Sequence, residues 1–251
     1  MDYDYKNAKK RIDYVFDNQL IKSESQFTPN IDAYQVNGTK SWIGVISISF
    51  YEINSVLSKL DDHKKTQVIK TLYNEIIIIL KSVPKLYNLL INKDGIVAIY
   101  GTQFQSDLLE LYDAAVTINT FSKMFNEILV SHDIVSIPIG IGLSADKEII
   151  IKLSESNDTY INDLYWLGDS IEIATMLSQN ANKRSIKSIV ISKTVFDNII
   201  KNLLDRNEKY KDWITTKYIE NKPLEDQFIE FYHCDVIKTS FDNWISKGMN
   251  E

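Results

Sequence analysis

Residues 89–100 read LLINKDGIVAIY, two apolar runs separated by a short polar stretch. The polar quartet is Asn92-Lys93-Asp94-Gly95, and the run after it is rich in β-branched residues. This pattern is typical of a β-hairpin with a short turn. We therefore expect two antiparallel strands here.

The segment before this hairpin predicts a strand and a long helix. Residues 42–48 are rich in β-branched and aromatic residues, which favours a strand. Residues 54–81 are amphipathic and far too long for a strand, which indicates a helix. Asn54 is placed to cap this helix, and Pro84 lies just past its end.

The segment after the hairpin continues with helices and strands. Residues 108–129 have helical spacing, and residues 134–143 and 148–153 predict a second strand pair around Ala145-Asp146. Further strands are expected at 164–167, 188–191 and 228–236, and further helices at 170–177 and 194–204. This order predicts an α+β fold in which helices cover one face of a largely antiparallel sheet. An N-terminal helix and linker (1–36) precede the core (37–204), and a C-terminal extension (205–251) follows it.

Composition excludes several classes of protein. Lys and Arg total 28 against 34 Asp and Glu, so the net charge of -6 argues against sequence-independent nucleic-acid binding. The single cysteine, Cys234, allows no intrachain disulfide, and with only three histidines there is no zinc-binding spacing. The longest aliphatic block, residues 76–80, is much shorter than the roughly 20 residues that span a bilayer. No secretory signal is visible, so we expect a cytoplasmic protein with no membrane or nucleic-acid partner.

Four segments, in order and correctly spaced, resemble the class III nucleotidyl cyclases. The resemblance is closest to the stand-alone pyrimidine cyclases of Pycsar antiphage defence. It implies a cyclase-homology domain with a ferredoxin-like core over residues 37–204. The segments are Asn37-Gly38 with the strand at 45–49, the hairpin from Lys93 to Gly101, IPIGIGL at 137–143, and INDLYWLGD at 161–169.

The resemblance also implies a metal-dependent reaction. In this family the ribose 3′-oxygen attacks the α-phosphate of a nucleoside triphosphate and releases pyrophosphate. Aspartates on two central strands hold two ions, Mg²⁺ or Mn²⁺. Asp94 matches one of these aspartates, whereas the other position reads Ser49, or Ser47 if the alignment shifts by one alternation. A hydroxyl leaves the metal charge uncompensated, and Glu52 would have to reach back from a loop.

The helix after Gly168-Asp169 would carry two further roles in such a cyclase. An asparagine binds the ribose, and a cation one turn later stabilises the phosphate in the transition state. The matching positions are Glu172 and Met176, which have neither chemistry, unless Lys93, Lys152 or Lys183 compensates. The resemblance assigns nucleotide contacts to Phe50, Tyr51, Asp163 and Trp166.

Each of these residues also has a purely structural interpretation. Asp94 before a glycine is what a hairpin turn selects without any metal. Asp169 and Glu172 form a capping box, the interpretation we favour for them. Phe50 would pack under the following helix, and Trp166 or its neighbour Tyr165 would lie in the core or at a dimer interface.

The sequence therefore predicts a cytoplasmic homodimer that binds a nucleoside triphosphate. If active, it converts UTP or CTP to the 3′,5′-cyclic nucleotide and pyrophosphate, weakly, and signals to a downstream cyclic-nucleotide-sensing effector in antiphage defence. The alternative is a catalytically dead pseudocyclase that acts as a nucleotide-binding sensor or regulatory partner. A third hypothesis is the inactive half of a heterodimer.

Overall fold

A computed structural model of the chain describes residues 21–22, 38–153, 164–200, 214–221 and 227–249. The chain divides into two compact units. The smaller contains Met1–Trp42 and Lys147–Asp169, and the larger contains Ile43–Asp146 and Ser170–Glu251. The helix predicted at residues 3–20 lies outside the described residues.

One sheet organises the larger unit. The strands of the described residues are β1 (Ile21–Lys22), β2 (Gly38–Phe50), β3 (Leu86–Asn92), β4 (Gly95–Gly101), β5 (Ile139–Lys152), β6 (Leu164–Leu167), β7 (Ile189–Ser192), β8 (Thr215–Asn221) and β9 (Gln227–Cys234). The strand order is β3-β4-β2-β5-β7-β9-β8. β5 and β7 are parallel, whereas the pairs β2/β4, β3/β4, β7/β9 and β8/β9 are antiparallel. In the smaller unit, β1 pairs with the first residues of β2, and β6 with the last residues of β5.

Six α-helices accompany the strands in the described part of the chain. They are α1 (Ile53–Ser58), α2 (Asp62–Ser82), α3 (Gln105–Ser131), α4 (Ser170–Asn180), α5 (Lys193–Val195) and α6 (Thr239–Ser246). α5 continues into a π-helical turn at Phe196–Ile200. Of the helices in these ranges, none has the length and apolar character needed to cross a membrane.

The two faces of the sheet are covered by different helices. On one face, Ile46 and Ile48 of β2 share a buried cluster with residues of α2 and α3 such as Leu72 and Leu111. On the other face, α4 packs against β7 and β9 in a smaller cluster formed by Leu177, Ala181, Val190 and Phe231. The α+β class predicted from the sequence is confirmed, whereas the expectation that helices cover one face is wrong, because α4 covers the other face. The predicted boundary at residue 204 stays a prediction, although β9 beyond it pairs directly with β7.

The hairpin predicted at residues 89–100 is confirmed as β3 and β4, joined by a turn at Lys93 and Asp94. Gly95 is required here because a Cβ atom at this position would overlap the carbonyl oxygen of Ile48 on the neighbouring strand β2. The turn is therefore held directly against the end of β2.

The predicted helix at 54–81 is wrong as a single element. The chain breaks at residues 59–61 into α1 and α2, because Asp61 caps α2 by accepting a hydrogen bond from the Lys64 N–H at 2.8 Å. Asn54 is not a cap, since it lies inside α1 and Glu52 precedes that helix in a left-handed conformation.

The predicted strand pair around Ala145-Asp146 is also wrong, because β5 runs through these residues without a turn. Small and polar residues are common in turns, but Ala145 is buried and neither residue has a positive φ. The helix predicted at 194–204 begins at Lys193 and becomes π-helical at Phe196. β8 and α6 fall where the sequence pattern predicts no element.

We expect His233 of β9 to make the free energy of unfolding depend on pH. This residue is 2% exposed. Its Nδ1 accepts a hydrogen bond from the Lys187 N–H at 3.2 Å. Burial, followed by the charges of Lys217 and Lys187, lowers the pKa of His233 below its usual 6.5. Below pH 6.5 the unfolded chain therefore binds this proton more readily, and the unfolding free energy should rise as pH increases from 5 to 7.

His233→Gln should make this rise smaller, as measured by chemical denaturation at both pH values. The exposed His63 provides the control, since His63→Gln should retain the rise seen in the wild type. An unchanged pH dependence in His233→Gln would contradict the prediction.

Candidate functional site

A cleft of about 550 Å³ lies in the larger unit, at the end of β2. Three parts of the chain line it: the end of β2 with the start of α1, the β3–β4 hairpin, and the second half of α4 with Lys183 beyond it. The sequence-predicted residues Ser49, Phe50, Tyr51 and Asp94 all border this cleft.

The serine hydroxyls of β2 are bonded to α4. Ser47 and Ser49 lie two residues apart and so share one face of the strand, opposite the buried isoleucines. Their Oγ atoms lie 3.0 and 2.8 Å from the Oγ of Ser178. Because Ser178 donates its own proton to the Thr175 carbonyl oxygen at 2.8 Å, it accepts from both. We call Ser47, Ser49 and Ser178 the serine network.

Two glycines of β5 allow α4 to lie this close to the sheet. A Cβ atom at Gly142 would overlap the Ala174 carbonyl oxygen, and one at Gly140 would overlap the carbonyl oxygen of Ser178. The glycines of the IPIGIGL segment therefore have a packing role that fixes the distance between β5 and α4.

Tyr51 joins the same helix at the edge of the cleft. Its hydroxyl donates to the Ser178 carbonyl oxygen. Burial raises the pKa of this hydroxyl above its ordinary value of 10, so that it remains a donor at neutral pH. The Lys183 Nζ lies 4.1 Å from the centroid of the Tyr51 ring, a cation–π geometry, and donates to the Gln179 carbonyl oxygen at 2.6 Å.

Asp94 lies in the hairpin turn beside the end of β2. Its carbonyl oxygen accepts from the Phe50 N–H at 2.8 Å, and Ser49 is paired with Gly95 in the β2/β4 register. Its side chain is exposed and forms no ion pair with any residue in the described ranges. The carboxylate is therefore available to a ligand.

Tyr73 of α2 holds this turn in place. Its hydroxyl donates to the carbonyl oxygens of Asn92 and Lys93 at 2.9 and 3.0 Å. Burial and the negative charge of Asp94 raise the pKa of this hydroxyl. Phe50 packs edge-on against Tyr73, with ring centroids 5.1 Å apart and only 3% of Phe50 exposed, so its ring belongs to the core.

Two sequence-predicted residues of α4 are not brought to the cleft. Glu172 is exposed on α4, and Met176 packs against the small apolar cluster between α4, β7 and β9; neither lines the cleft. Trp166 lies in β6 of the smaller unit. Asp163 lies outside the described residues.

Sequence reasoning missed Thr175, Gln179 and Asn180, which line the cleft from α4. Thr175, Gln179 and Lys183 follow each other at intervals of four, which places the two helical residues on one face with Lys183 just beyond. The buried positions Ala174, Leu177, Ser178 and Ala181 mark the neighbouring stripe, and this periodicity could have indicated the face.

The metal-ligating side chains of the cleft fit one divalent ion better than two. Glu52 and Asp94 are the carboxylates among the lining residues, and the described ranges contain no group of three or more His, Cys, Asp or Glu residues that could hold a metal. Mg²⁺ is commonly bound by one or two carboxylates together with substrate phosphates. The cleft therefore suits an ion that is shared with a phosphorylated ligand.

Removing the Ser178 hydroxyl should destabilise the protein. Ser178→Ala leaves the buried Ser47 hydroxyl without its acceptor, so we expect the unfolding free energy to fall by about 1–3 kcal/mol in chemical denaturation. The control is Ser246→Ala on α6, where an exposed hydroxyl bonds to the Asp242 carbonyl oxygen. That change should cost about 0.5 kcal/mol or less, and equal losses in the two variants would contradict the prediction.

Two relatives of this chain are named uridylate cyclase. The chain is 28% identical over 250 residues to a uridylate cyclase from Treponema porcinum, which covers 99% of this chain and 83% of that protein. It is 24% identical over 237 residues to a uridylate cyclase from Gulbenkiania mobilis, with 86% of this chain and 87% of that protein covered.

A solved structure is similar in fold. The guanylyl cyclase Cya2 superposes with a TM-score of 0.61 at 13% identity and covers 80% of this chain and 95% of that one. No family model matches the sequence.

Proposed function

We propose that this chain, which has the fold of the class III nucleotidyl cyclases, is a nucleotidyl cyclase for the pyrimidine nucleotides UTP or CTP. Two relatives named uridylate cyclase, one aligned over 99% of the chain, support the reaction and the base. The observation that carries the proposal is the position of Asp94, whose exposed carboxylate borders a cleft at the end of β2.

The reaction joins the ribose 3′-oxygen to the α-phosphorus as the bond from that phosphorus to pyrophosphate breaks. A bound Mg²⁺ or Mn²⁺ would activate the attacking oxygen and neutralise phosphate charge. Asp94 would hold the ion, and Glu52 is the second carboxylate of the cleft. Ser49, the residue at the other family position, offers only a neutral oxygen.

Weak or absent turnover is part of the proposal. The Ser49 hydroxyl is bonded to Ser178, and a neutral ligand does not replace an anion. Glu172 and Met176 provide neither a ribose-binding amide nor a cation. Loss of a preorganised charge-stabilising group typically costs about 10²–10³ in rate.

The assembly and setting are proposed from the resemblance. A homodimer would complete the active site, because this family forms its sites between two chains, and the exposed Glu172 would be available to a partner. The product would act on a cyclic-nucleotide-sensing effector in antiphage defence. The free cysteine, Cys234, is consistent with the reducing cytoplasm in which we place the protein.

A pseudocyclase is the second candidate. The serine network favours it, because the two hydroxyls at the strand end donate to Ser178 of α4, and one of them stands where metal-binding cyclases carry a carboxylate. Such a protein would bind a nucleoside triphosphate as a sensor or regulatory partner without converting it.

Cyclic-nucleotide formation should be slow in the wild type and should increase when the missing groups are restored. We expect the triple variant Ser49→Asp, Glu172→Asn, Met176→Arg to form more cyclic UMP or CMP. The assay incubates purified protein with the four ribonucleoside triphosphates and Mn²⁺ and identifies products by mass spectrometry. Met176 packs in an apolar cluster. For this reason the double variant Ser49→Asp, Glu172→Asn, which keeps Met176, is assayed in parallel.

Asp94→Asn in the triple-variant background serves as the control and should remove the gained activity. Strong pyrimidine cyclase activity in the wild type would refute the weak-turnover proposal and the pseudocyclase. Cyclic purine products would refute the base preference, and a gain that survives Asp94→Asn would refute the assignment of this cleft.

The affinity for divalent metal ions should increase with the number of carboxylates at the end of β2. Ser49→Asp adds an anionic ligand beside Asp94, so we expect about tenfold tighter Mn²⁺ binding by calorimetry. Asp94→Asn should weaken binding, whereas Asp133→Asn, in an exposed turn away from the cleft, should not. Unchanged affinity in both cleft variants would show that Asp94 is only a turn residue.

A further inference from the structure

We infer that Lys183 is the phosphate-binding cation of the cleft and that Tyr51 positions it. This inference rests on the proposed function, because it assigns the residue that recognises the triphosphate part of the substrate. Two carboxylates, Glu52 and Asp94, line the cleft, and among its lining residues in the described ranges Lys183 is the one positively charged side chain. A nucleoside triphosphate is strongly anionic, so it needs a cation here besides any metal ion.

The ammonium group of Lys183 has capacity left for a ligand. It has three donors, and one of them is used on the Gln179 carbonyl oxygen. Lys183 is exposed and forms no ion pair with a carboxylate in the part of the chain that the structure describes. Its charge is therefore not neutralised by the protein.

Tyr51 fixes the position of this ammonium group. The centroid of the Tyr51 ring lies 4.1 Å from Nζ. Tyr51 is itself held at both ends, because its hydroxyl donates to the Ser178 carbonyl oxygen and its backbone N–H donates to the Pro138 carbonyl oxygen at 3.0 Å. A lysine held over an anchored ring loses less side-chain entropy on binding a phosphate than a free surface lysine does.

Two competing roles for Lys183 lead to different expected results. If Lys183 only neutralises the carbonyl end of α4, its removal should lower stability and leave phosphate affinity unchanged. If any positive charge near the cleft is sufficient to bind phosphate, removing Lys93 should lower the phosphate affinity as much as removing Lys183. Lys93 lies in the hairpin turn and does not line the cleft.

The test compares the affinities of three probes by calorimetry: UTP, uridine and inorganic tripolyphosphate. For Lys183→Met we expect a loss of about tenfold or more for UTP and tripolyphosphate and no change for uridine, because only the phosphates meet the ammonium group. Lys183→Arg should restore most of the affinity, and Lys93→Met should match the wild type. Circular dichroism checks folding, and Lys183→Gln repeats the test if the methionine variant does not fold.

The positioning role of Tyr51 is tested by a double-mutant cycle. Tyr51→Leu should weaken tripolyphosphate binding in the wild type but add nothing in the Lys183→Met background, since it acts through the lysine. Additive losses would show that Tyr51 does not act through Lys183, and would overturn this part of the inference.

The outcomes separate the inference from the proposed function. Unchanged tripolyphosphate affinity in Lys183→Met, or an equal loss in Lys93→Met, would overturn the inference while UTP binding by the wild type still supports the function. Failure of the wild type to bind both UTP and tripolyphosphate would overturn both. Lys183-dependent binding without any cyclic product would support the inference together with the pseudocyclase.

Discussion

The close contact between α4 and the sheet determines the rest of the site. Gly140 and Gly142 leave room for the helix backbone, and Ser178 then receives hydrogen bonds from both serines of β2 and, at its carbonyl oxygen, from Tyr51. One helical residue therefore links a strand, a loop and a helix that would otherwise be independent walls of the cleft. The position of Lys183 depends on the same contact, because it follows directly from the end of α4.

The serine network also explains how a strand end can do without a carboxylate. Ser47 and Ser178 are buried, and an unpaired charge at such a position carries a large desolvation cost unless a cation or several donors balance it. Hydroxyls that donate to one another and to a helix carbonyl satisfy the same position without charge. The consequence is a strand end whose hydroxyls are hydrogen-bonded and carry no charge that would attract a metal ion.

Local patterns predicted the hairpin, α3 and the end of β2 because their periodicity is strong and their turn residues are clear. The break between α1 and α2 was missed because Asp61 begins a new helix inside a pattern that remains amphipathic across the break. Asp94, Ser49 and Tyr51 were assigned to the site by the resemblance to the class III cyclases, which matched their positions at the strand ends. The periodicity of α4 indicates that Thr175 and Gln179 share a face beside the buried stripe. That this face borders the cleft was not found, because α4 is positioned by contacts with Gly140 and Gly142 that lie distant in sequence.

The charges of the cleft are separated in a way that suits a metal-bound triphosphate. Asp94 stands on the hairpin wall and Lys183 on the α4 wall, so an ion and the phosphates it accompanies can each meet an opposite charge. A nucleoside without phosphates uses neither group, and a free divalent ion meets only the carboxylates. If the proposed function holds, selectivity for the triphosphate would follow from two opposite charges on different elements. The serine network bonds the end of β2, beside the hairpin, to α4.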